Sequence, residues 1–546
     1  MEQCAVQVWA GLSGTYPGSV VWTDVTPYTV ASDGIHATRG VQGNLVTDRV
    51  ASTGTLSFSL HNVVGGVYGY WTPGHPNCVS GWALGTPLRL TATYLGVLYD
   101  LWYGVLDTAE PQPGLHGEHR VVAVTGADWM DDCARSKLYN IPTQVNQRGD
   151  QLMATILANL ARQPYGTAFN VGTDVYPFAL DTVQDSDVAA LTEFQNLANS
   201  ELCYIYIDRH GNLCYEPRRY RVGLSTPTVT LTDNELYAMK ASRQRQQVVN
   251  RVQITLHPRR VDSAPTSVLF VLNGQTQLAR GASTTFDCPY RDPNQTATRV
   301  GGQAMVTPVA TTDYTFNTAS DGTGTDITSQ LSVSVTFGGN SATAVVTNNG
   351  PKDGYITKFQ LRGEGLYSYQ TTVYTQQDAS SQASYGMNSL TIDAPYASQD
   401  TIGTAMSSYV LSMLKSPYVQ VDEVSFLANA SPALMVAALT ADVSAMVSVL
   451  ETMSIDVAAG TAKSYFVNAV QVDVDDSSAT DTGVTGGAVL TVTWILTPAD
   501  PLRYWRLGTV GYSELGVTTR PSYGAFASYW VLGQSALGSS TVINPD

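Results

Sequence analysis

The sequence of 546 residues has little charge, because Asp, Glu, Lys and Arg together make up only 14% of it, well below the usual quarter or so. Basic residues are scarcer than acidic ones: the sequence has 29 Lys and Arg and 45 Asp and Glu, which gives a net charge of −16. Nucleic-acid binding needs clustered Lys and Arg against phosphate. The composition therefore argues against a dedicated nucleic-acid site, although an acidic wall would let DNA slide past without sticking.

Cysteine and long apolar runs are also scarce. The six cysteines have no CxxC spacing and are too few for a disulfide scaffold in a chain of this length, so we expect scattered reduced thiols. No stretch reaches the roughly 18 apolar residues of a membrane helix, and the first residues lack the basic and apolar segments of a secretion signal. The sequence thus predicts a protein without a membrane segment that accumulates in the cytoplasm where it is made.

Small and aromatic residues are plentiful instead, with 47 Gly and 30 Tyr. Val, Thr and Tyr fit the pleated surface of a sheet, and Gly serves its turns. A single hydrophobic core stops growing near roughly 250–300 residues. The chain is therefore expected to fold into several domains that are mainly β.

The first 130 residues alternate apolar and polar side chains in short runs, such as Thr55 to Leu60 and Leu88 to Tyr94. Period-two runs between Gly and Pro residues predict half-buried antiparallel strands. The segment from Trp71 to Asn77 holds two prolines and a glycine, which predicts a loop. We interpret residues 1–130 as an N-terminal β-barrel, with a β-sandwich as the alternative.

Residues 131–222 change to helical spacing. One apolar stripe follows Asp150 and another follows Ser186, and each predicts an amphipathic helix with an N-cap. A hairpin is predicted between residues 202 and 217, with its turn from Asp208 to Asn212. The segment therefore predicts an α+β module, a small α/β unit of helices on a sheet. The stripes consist of Leu152, Ile156 and Leu160, and of Val188, Leu191, Phe194 and Leu197.

The rest of the chain returns to strands, clearest at residues 248–256, 422–427 and 488–496. Residues 303–375 are rich in Thr, Ser and Gly and lack helical spacing, which predicts an inserted β-sandwich. A helix is expected near 398–416, capped by Ser398 and ended by Pro417. We interpret residues 223–302 plus 376–520 as a second β-barrel, and residues 521–546 as a C-terminal arm.

His75, Cys78, His116 and His119 form the one group with the residue types of a metal site. Zinc takes four N or S ligands in a tetrahedron, and two pairs about forty residues apart could meet across a barrel. Proline and glycine around the later pair indicate a flexible turn, however, and loop residues without chemistry are the alternative. No metal is assigned.

The sequence contains only weak candidates for catalytic motifs. Asp131 and Asp132 beside Trp129 could be paired carboxylates for glycoside hydrolysis, which need a separation of roughly 5–10 Å. Adjacent side chains usually point apart, and Asp is common where a helix begins. No Gly-x-Ser-x-Gly elbow is present. The sequence therefore assigns no catalytic or cofactor-binding residue and predicts that the chain is not an enzyme.

Two further motifs have ordinary interpretations. The run of Arg218, Arg219 and Arg221 favours a solvated strand edge over a nucleic-acid site. The glycines of residues 321–325 do not follow a strand and open a helix, so they predict loop turns rather than a phosphate cradle.

Three stretches follow one another along the chain at residues 48–62, 194–219 and 378–388. Together they resemble the tail-tip (baseplate hub) proteins of long-tailed bacteriophages. Residues 48–62 resemble the start of a strand in the N-terminal domain of such proteins, and residues 194–219 resemble their unit of helix, strand, Asp-Gly turn, strand and Pro-Arg. Residues 378–388 resemble the Ser-x-x-x-Tyr-Gly linker before a hub helix, with two uncharged residues where the family has a basic one. The ending at 504–517 also resembles a segment of phage tail proteins. The resemblance covers most of the chain outside the insertion.

The resemblance implies a mainly β fold with two tube-like β-barrels, the α+β module on the outside and the inserted β-sandwich. In the family each subunit carries two such barrels, so a homotrimeric ring presents six of them to a six-fold tail tube. The implied protein is a structural hub at the tail tip of a virion, such as a siphovirus, that closes the tube, supports assembly and opens for DNA ejection. Implied partners are further copies of the chain, tail tube and distal tail proteins, the tape-measure protein and tail fibres. No cofactor is implied, and the net charge leads us to expect acidic residues along the bore.

Two other functions are compatible with the residues. A receptor-binding tail protein would use the inserted sandwich to bind host carbohydrate and should expose an aromatic platform there. A tail-associated cell-wall hydrolase would clear host cell walls. The aromatic residues available to such a platform are Tyr314, Phe316, Phe337, Tyr355, Phe359, Tyr367, Tyr369 and Tyr374, several of which alternate as if they point inward.

Overall fold

The computed structural model describes residues 4–43, 45–112, 114, 120–181, 183, 187–221, 224, 226–242, 245–416, 420–450, 462–476 and 488–499. The predicted mainly β fold with an α+β module is confirmed. Among the described residues no helix is long and apolar enough to cross a lipid bilayer. The predicted C-terminal arm, the 504–517 segment, Ser186 and Pro417 lie outside the described residues.

The first block consists of antiparallel strands from residues 5–127. Alternation puts one face of each strand in the core: in the strand from Pro87 to Tyr94, both leucines and Ala92 are buried while Arg89 is only partly covered. Trp71, in the predicted loop, is buried in this core, and its ring packs 5.1 Å from the ring of Trp82. The strands are β1 (Ala5–Thr15), β2 (Ser19–Asp24), β3 (Ile35–Gly40), β4 (Thr55–His61), β5 (Val63–Val64), β6 (Val67–Tyr68), β7 (Pro87–Tyr94), β8 (Val97–Gln112) and β9 (Val121–Ala127).

The α+β module follows directly. Both predicted helices and the hairpin are confirmed, although Val188 lies in a short strand before its helix and Leu160 lies beyond the end of the other. The predicted N-cap at Asp150 is wrong, because that helix is capped at Arg148 and Asp150 lies in its first turn. The hairpin turn is held by Asp208, which accepts hydrogen bonds from the backbone N–H groups of His210 and Asn212. The elements are α1 (Trp129–Arg135), β10 (Lys137–Leu138), β11 (Gln144–Arg148), α2 (Gly149–Ala158), β12 (Gly166–Phe169), β13 (Val175–Ala179), β14 (Val188–Ala189), α3 (Ala190–Glu201), β15 (Tyr204–Ile207) and β16 (Asn212–Glu216).

The insertion is larger than predicted. It begins after the strand that ends at Leu256 and ends before residue 372, so residues 259–302, assigned above to the second barrel, belong to it. Its two ends meet, because the Tyr369 N–H donates to the Pro258 carbonyl at 3.0 Å. The strands from the module to the end of the insertion are β17 (Thr230–Thr232), β18 (Leu236–Ser242), β19 (Arg251–Leu256), β20 (Arg259–Val261), β21 (Ser267–Val271), β22 (Thr276–Leu278), β23 (Ser283–Pro289), β24 (Arg291–Asp292), β25 (Gln295–Arg299), β26 (Gly301–Val306), β27 (Tyr314–Asn317), β28 (Leu331–Phe337), β29 (Ser341–Asn348) and β30 (Gly354–Ser368).

A small three-stranded layer and the second block complete the described chain. The predicted cap at Ser398 is wrong, since the helix there starts one residue later, after Gln399, without a side-chain cap. The 378–388 segment is itself a short helix, capped by Asp378. The remaining elements are β31 (Thr372–Gln377), α4 (Ala379–Tyr385), β32 (Ser389–Ala394), α5 (Asp400–Leu414), β33 (Gln420–Leu427), α6 (Pro432–Thr440), β34 (Met446–Leu450), β35 (Lys463–Asp476) and β36 (Ala488–Pro498).

The two blocks are parts of one sheet. β17, β18 and β33 to β36 form the second block, and the strand order β18-β33-β36-β35-β3-β4-β9-β8-β7-β1-β2 runs through both, with β34 beside β35 and β17 beside β34. One hydrophobic core contains buried residues of both blocks and of α6. The blocks predicted as separate barrels are therefore joined edge to edge, while β19, β31 and β32 form a separate sheet covered by α5.

Candidate functional site

Strand β3 joins the two blocks. It pairs with β4 of the first block and, on its other side, with β35 of the second, from Ile35 opposite Val474 to Gly40 opposite Ala469. Gly40 has a φ of +93°, and a Cβ there would lie 2.5 Å from the Asn468 carbonyl oxygen. Only glycine lets the two strands meet this closely.

One face of the joined sheet carries rows of small polar side chains, because residues directly opposite each other in antiparallel strands share a face. We call these rows the joint face. Hydroxyl groups bond along it: the Ser425 and Thr493 hydroxyls are 2.8 Å apart, and the Thr38 and Thr55 hydroxyls 2.9 Å apart. One row contains Leu427, Thr491, Asp473, His36, Ser57 and Thr125, and its neighbour contains Ser425, Thr493, Gln471 and Thr38.

The charges on the joint face are sparse and mostly acidic. Asp473 stands in the row across the joint, and Asp475 lies two positions along the same strand. Neither row contains a Lys or Arg. His36 Nδ1 lies 2.8 Å from Asp473 Oδ1, so the one basic side chain in the rows is paired with an acid. A face of this kind offers little to attract a phosphate backbone.

Beneath the joint, a buried ion pair ties the blocks together. Arg39, which β3 holds almost fully buried, directs its Nε to Asp442 Oδ1 at 3.0 Å and its Nη1 to the Leu101 carbonyl at 2.7 Å. Asp442 follows α6 of the second block, whereas Leu101 lies on β8 of the first. The backbone N–H of Arg209, in the module's hairpin turn, donates to the other oxygen of Asp442 at 2.9 Å. Three parts of the chain therefore converge on one carboxylate.

A second buried group lies beside the first. Arg221 is fully buried, donates Nη1 to Asn468 Oδ1 at 2.6 Å and Nε to Ser444 Oγ at 3.0 Å, and stacks on Tyr204 with 3.4 Å between guanidinium and ring centre. The Ser444 hydroxyl donates in turn to Glu216. Burial raises the pKa of Glu216, with Arg221 acting in the opposite direction. These groups have no access to solvent, so they fix the module against the second block rather than forming an active site.

The module also contacts the first block at its hairpin turn. His210 Nδ1 lies 2.8 Å from Asp100 Oδ2 on β8, and both side chains are partly exposed. The ring of Tyr103, also on β8, packs 4.6 Å from the ring of Tyr165. The turn residues contact both blocks, so the predicted hairpin holds the two blocks together at the joint.

The arginine run was misjudged from the sequence, because two of its three members are buried. Arg218 donates Nη1 to the Glu201 carbonyl at 2.9 Å and pairs with Asp174 at 3.2 Å, and Arg221 lies in the group just described. Only Arg219 is exposed. A run of arginines after a proline gives no sign of burial, since their partners lie elsewhere in the chain.

The two described members of the candidate group, His75 and Cys78, make local contacts with neighbouring residues. His75 is exposed and accepts a hydrogen bond from the Asn77 N–H at 3.1 Å, while the Cys78 thiol donates to the Trp82 carbonyl at 3.5 Å. His116 and His119 lie outside the described residues. Within the described ranges no three His, Cys, Asp or Glu side chains converge as metal ligands would.

The two aspartates beside Trp129 lie in the first turn of α1. Asp131 pairs with Arg135 and Asp132 lies 3.5 Å from Arg162, so each has a basic partner. Asp128, which no sequence motif singled out, caps α1 by accepting the Met130 N–H at 3.0 Å. Complete burial raises the pKa of Asp128 to about 8 although two backbone N–H groups oppose the shift. An Asp directly before a helix indicates an N-cap, but the sequence does not show that this side chain is buried.

The insertion does not present its aromatic residues as a platform. Phe316, Phe359 and Tyr367 are buried in its core. Of the eight aromatic residues in the predicted segment, only Tyr369 is exposed, and it lies at the exit from the insertion. The loop at 321–325 is a turn, as predicted, with Asp321 accepting the Thr323 N–H at 3.0 Å.

No protein family model matches the chain, and no curated protein sequence matches it. Several solved structures are similar to it. A 43 kDa tail protein of prophage MuSo2 from Shewanella oneidensis is 11% identical, with a TM-score of 0.44 over 91% of this chain and 99% of the other. A tail protein from Neisseria meningitidis is 8% identical, with a TM-score of 0.45 over 90% and 96% of the two chains. Prophage tail protein gp18 from Listeria monocytogenes is 7% identical, with a TM-score of 0.40 over 90% and 94%.

Proposed function

We propose that the chain is a structural, non-enzymatic hub protein of a phage tail tip, and that three copies form a ring around a bore. The ring closes the tail tube, contacts the tube, distal tail, tape-measure and fibre proteins, and lets DNA pass. One observation carries this proposal: β3 and β35 fuse two strand blocks into one continuous sheet, so a single chain supplies two neighbouring segments of a wall.

The ends of that sheet support a ring. β2 stands at one end and β18 at the other, and neither has an outer strand partner among the described residues. β2 contains Asp24 and β18 contains Lys240, so the two ends bear unlike charges. Contact of β2 in one copy with β18 in the next is heterologous. Such a contact gives a closed ring when the rotations between successive copies add up to a full turn.

The joint face supports the passage of DNA. Its rows consist mainly of hydroxyl side chains, Asp473 in the rows and Asp475 beside them repel phosphate, and no Lys or Arg stands in the rows. In the proposed ring this face lines the bore. Since an uncharged or acidic wall releases no counterions when DNA approaches, DNA has no reason to bind to it.

Mass measurement of the purified protein tests the ring. The wild-type protein should sediment as a ring of three copies, single or linked in pairs, whereas Asp24→Lys or Lys240→Asp alone should break the ring of three. The double exchange restores unlike charges and should restore the trimer, while Asp321→Lys in the insertion should have no effect. A wild-type protein that stays monomeric at high concentration and in the presence of tube protein would refute the proposal.

A further inference from the structure

Strand β28 forms an open edge of the insertion. It belongs to the sheet β23-β29-β28 and, among the described residues, pairs only with β29. The pairing runs from Leu331 to Phe337 without a register shift, so no bulge bends this edge. Residues 327–351, which contain both strands, include no charged side chain. Natural sheets usually protect an exposed edge with charge, proline or a bulge, and β28 has none of these.

The core of the insertion is incompletely covered at this edge. Val333, Val335 and Phe337 pack against the buried core but remain partly exposed. The other face of the strand carries Ser332, Ser334 and Thr336, all of them exposed. The strand therefore offers an apolar row on one face and a hydroxyl row on the other.

Backbone N–H and C=O groups of β28 point to the open edge, where a further strand could pair with them. The Gly338 N–H donates to the Ser341 carbonyl at 2.8 Å in the β28–β29 turn. Because hydrogen-bonded pairs alternate along an antiparallel ladder, Ser332, Ser334 and Thr336 direct their backbone groups to β29. The backbone groups of Val333 and Val335 consequently point away from β29, towards the open edge.

We propose that β28 of one copy pairs antiparallel with β28 of a second copy, about a two-fold axis at Ser334. This register places Leu331 opposite Phe337 and Val333 opposite Val335 on the core side. On the other side it places Ser332 opposite Thr336, and Ser334 opposite its own counterpart. Apolar side chains meet apolar ones and hydroxyls meet hydroxyls, the outward backbone groups become paired, and the half-covered valines and Phe337 of both copies are covered.

The partner at this edge is a second copy, because β28 is complementary to itself both in side-chain type and in backbone hydrogen bonding. The edge also has no charged side chain that a different partner could recognise. The contact is independent of the proposed ring, since it uses the insertion and a two-fold axis rather than β2 and β18. Both ends of the insertion meet at Pro258 and Tyr369, so it leaves the body of the chain as one unit. Paired insertions would then link two rings, or two copies outside a ring.

Cysteine crosslinking of the full chain tests the register. In the Ser334→Cys variant the two new thiols lie opposite each other in a pair whose Cα atoms are about 4.5 Å apart, within the range of a disulfide. Mild oxidation should give a covalent dimer. Thr343→Cys, exposed on the inner strand β29 beside Thr336, is the matched control and should remain at the background of the native cysteines.

A charge at the same position gives a second test. Ser334→Lys puts two ammonium groups across the axis and should abolish the dimer in sedimentation, while Thr343→Lys should leave it intact. The crosslink should persist in Asp24→Lys, which separates this contact from the ring. The inference is overturned if folded Ser334→Cys protein crosslinks no more than Thr343→Cys, or if Ser334→Lys leaves the assembly unchanged.

Discussion

Arg39 and Asp442, which are 403 positions apart in the sequence, form an ion pair with 3.0 Å between Nε and Oδ1, and the Arg39 side chain is only 3% exposed. The pair connects β3 of the first block with the end of α6 in the second. A buried charge that loses its partner is costly, so this contact fixes how the two blocks sit against each other.

Arg39→Met should therefore lower the free energy of unfolding by about 2–3 kcal/mol, less than for a fully buried pair because Asp442 is 20% exposed. Arg135→Met is the control: Arg135 is exposed and pairs with Asp131 within one helix turn, a contact worth under about 0.5 kcal/mol. Urea unfolding of both variants measures the difference. Equal losses would show that the Arg39 pair does not hold the joint.

Gly40 should be the least replaceable glycine of the joint. Gly40→Ala places a Cβ 2.5 Å from the Asn468 carbonyl and 2.7 Å from Val443, whereas Gly96→Ala, at a hairpin tip with a similar positive φ, meets nothing within 4 Å. We expect a loss of about 1 kcal/mol for Gly96→Ala from backbone strain alone, and of about 3 kcal/mol or more for Gly40→Ala. Thermal unfolding of the two variants tests this, and similar melting temperatures would contradict it.

Asp128 should make stability depend on pH. Its folded pKa of about 8 lies above its ordinary value of 3.8, so its contribution is fully present below pH 3.8 and is lost as the pH rises through 8. Asp128→Asn keeps an acceptor for the Met130 N–H but cannot ionise. Relative to wild type, the variant should gain up to about 1.4 kcal/mol of stability for each pH unit between 5 and 8. A difference between the two proteins that stays constant across this range would refute the buried, protonated carboxyl.

Lysines on the joint face should create DNA binding that the wild-type protein lacks. Gln471 and Thr493 are directly opposite each other on β35 and β36, and in the ring their counterparts from all copies surround one bore. Lysine at both positions should give duplex DNA binding that weakens steeply with salt. Lysine at Ser283 and Thr347, an opposite pair in the insertion away from β28, adds the same charge and is the control. Fluorescence anisotropy of labelled DNA distinguishes them, and equal binding would argue against a bore at the joint face.

Much of the local structure could be predicted from the sequence. Alternation located β7 and β36, the stripe through Leu152 and Ile156 located α2, and the polar glycine turn located the β15–β16 hairpin. These signals are short-range, because side-chain direction repeats every 2 residues in a strand and every 3.6 in a helix. Boundaries were harder to predict, and the insertion starts 44 residues before its predicted start since its first strands alternate as those of a barrel do.

The joint and its buried polar group could not be predicted. Arg221 was interpreted as part of a solvated run, yet it bonds to Asn468, 247 positions away, and Arg39 bonds to Asp442. A charged side chain is buried only where the fold supplies a partner for it. Partners so far apart in the sequence produce no periodic pattern that would reveal the pairing. Asp128 shows the same limit: its capping position was readable, but its burial depends on Gly54 and the strands around it.

The sequence by itself determined that this protein is mainly β, that its charge is scarce and acidic, and where most strands and helices lie, because composition and local periodicity act within a few residues. Only the tertiary structure decided that the two strand blocks share one sheet through β3 and β35 and that Arg39, Arg218 and Arg221 are buried. The physical reason is that strand pairing and ion pairing depend on which distant segment arrives alongside, and many segments of this chain have the alternation to serve as that neighbour.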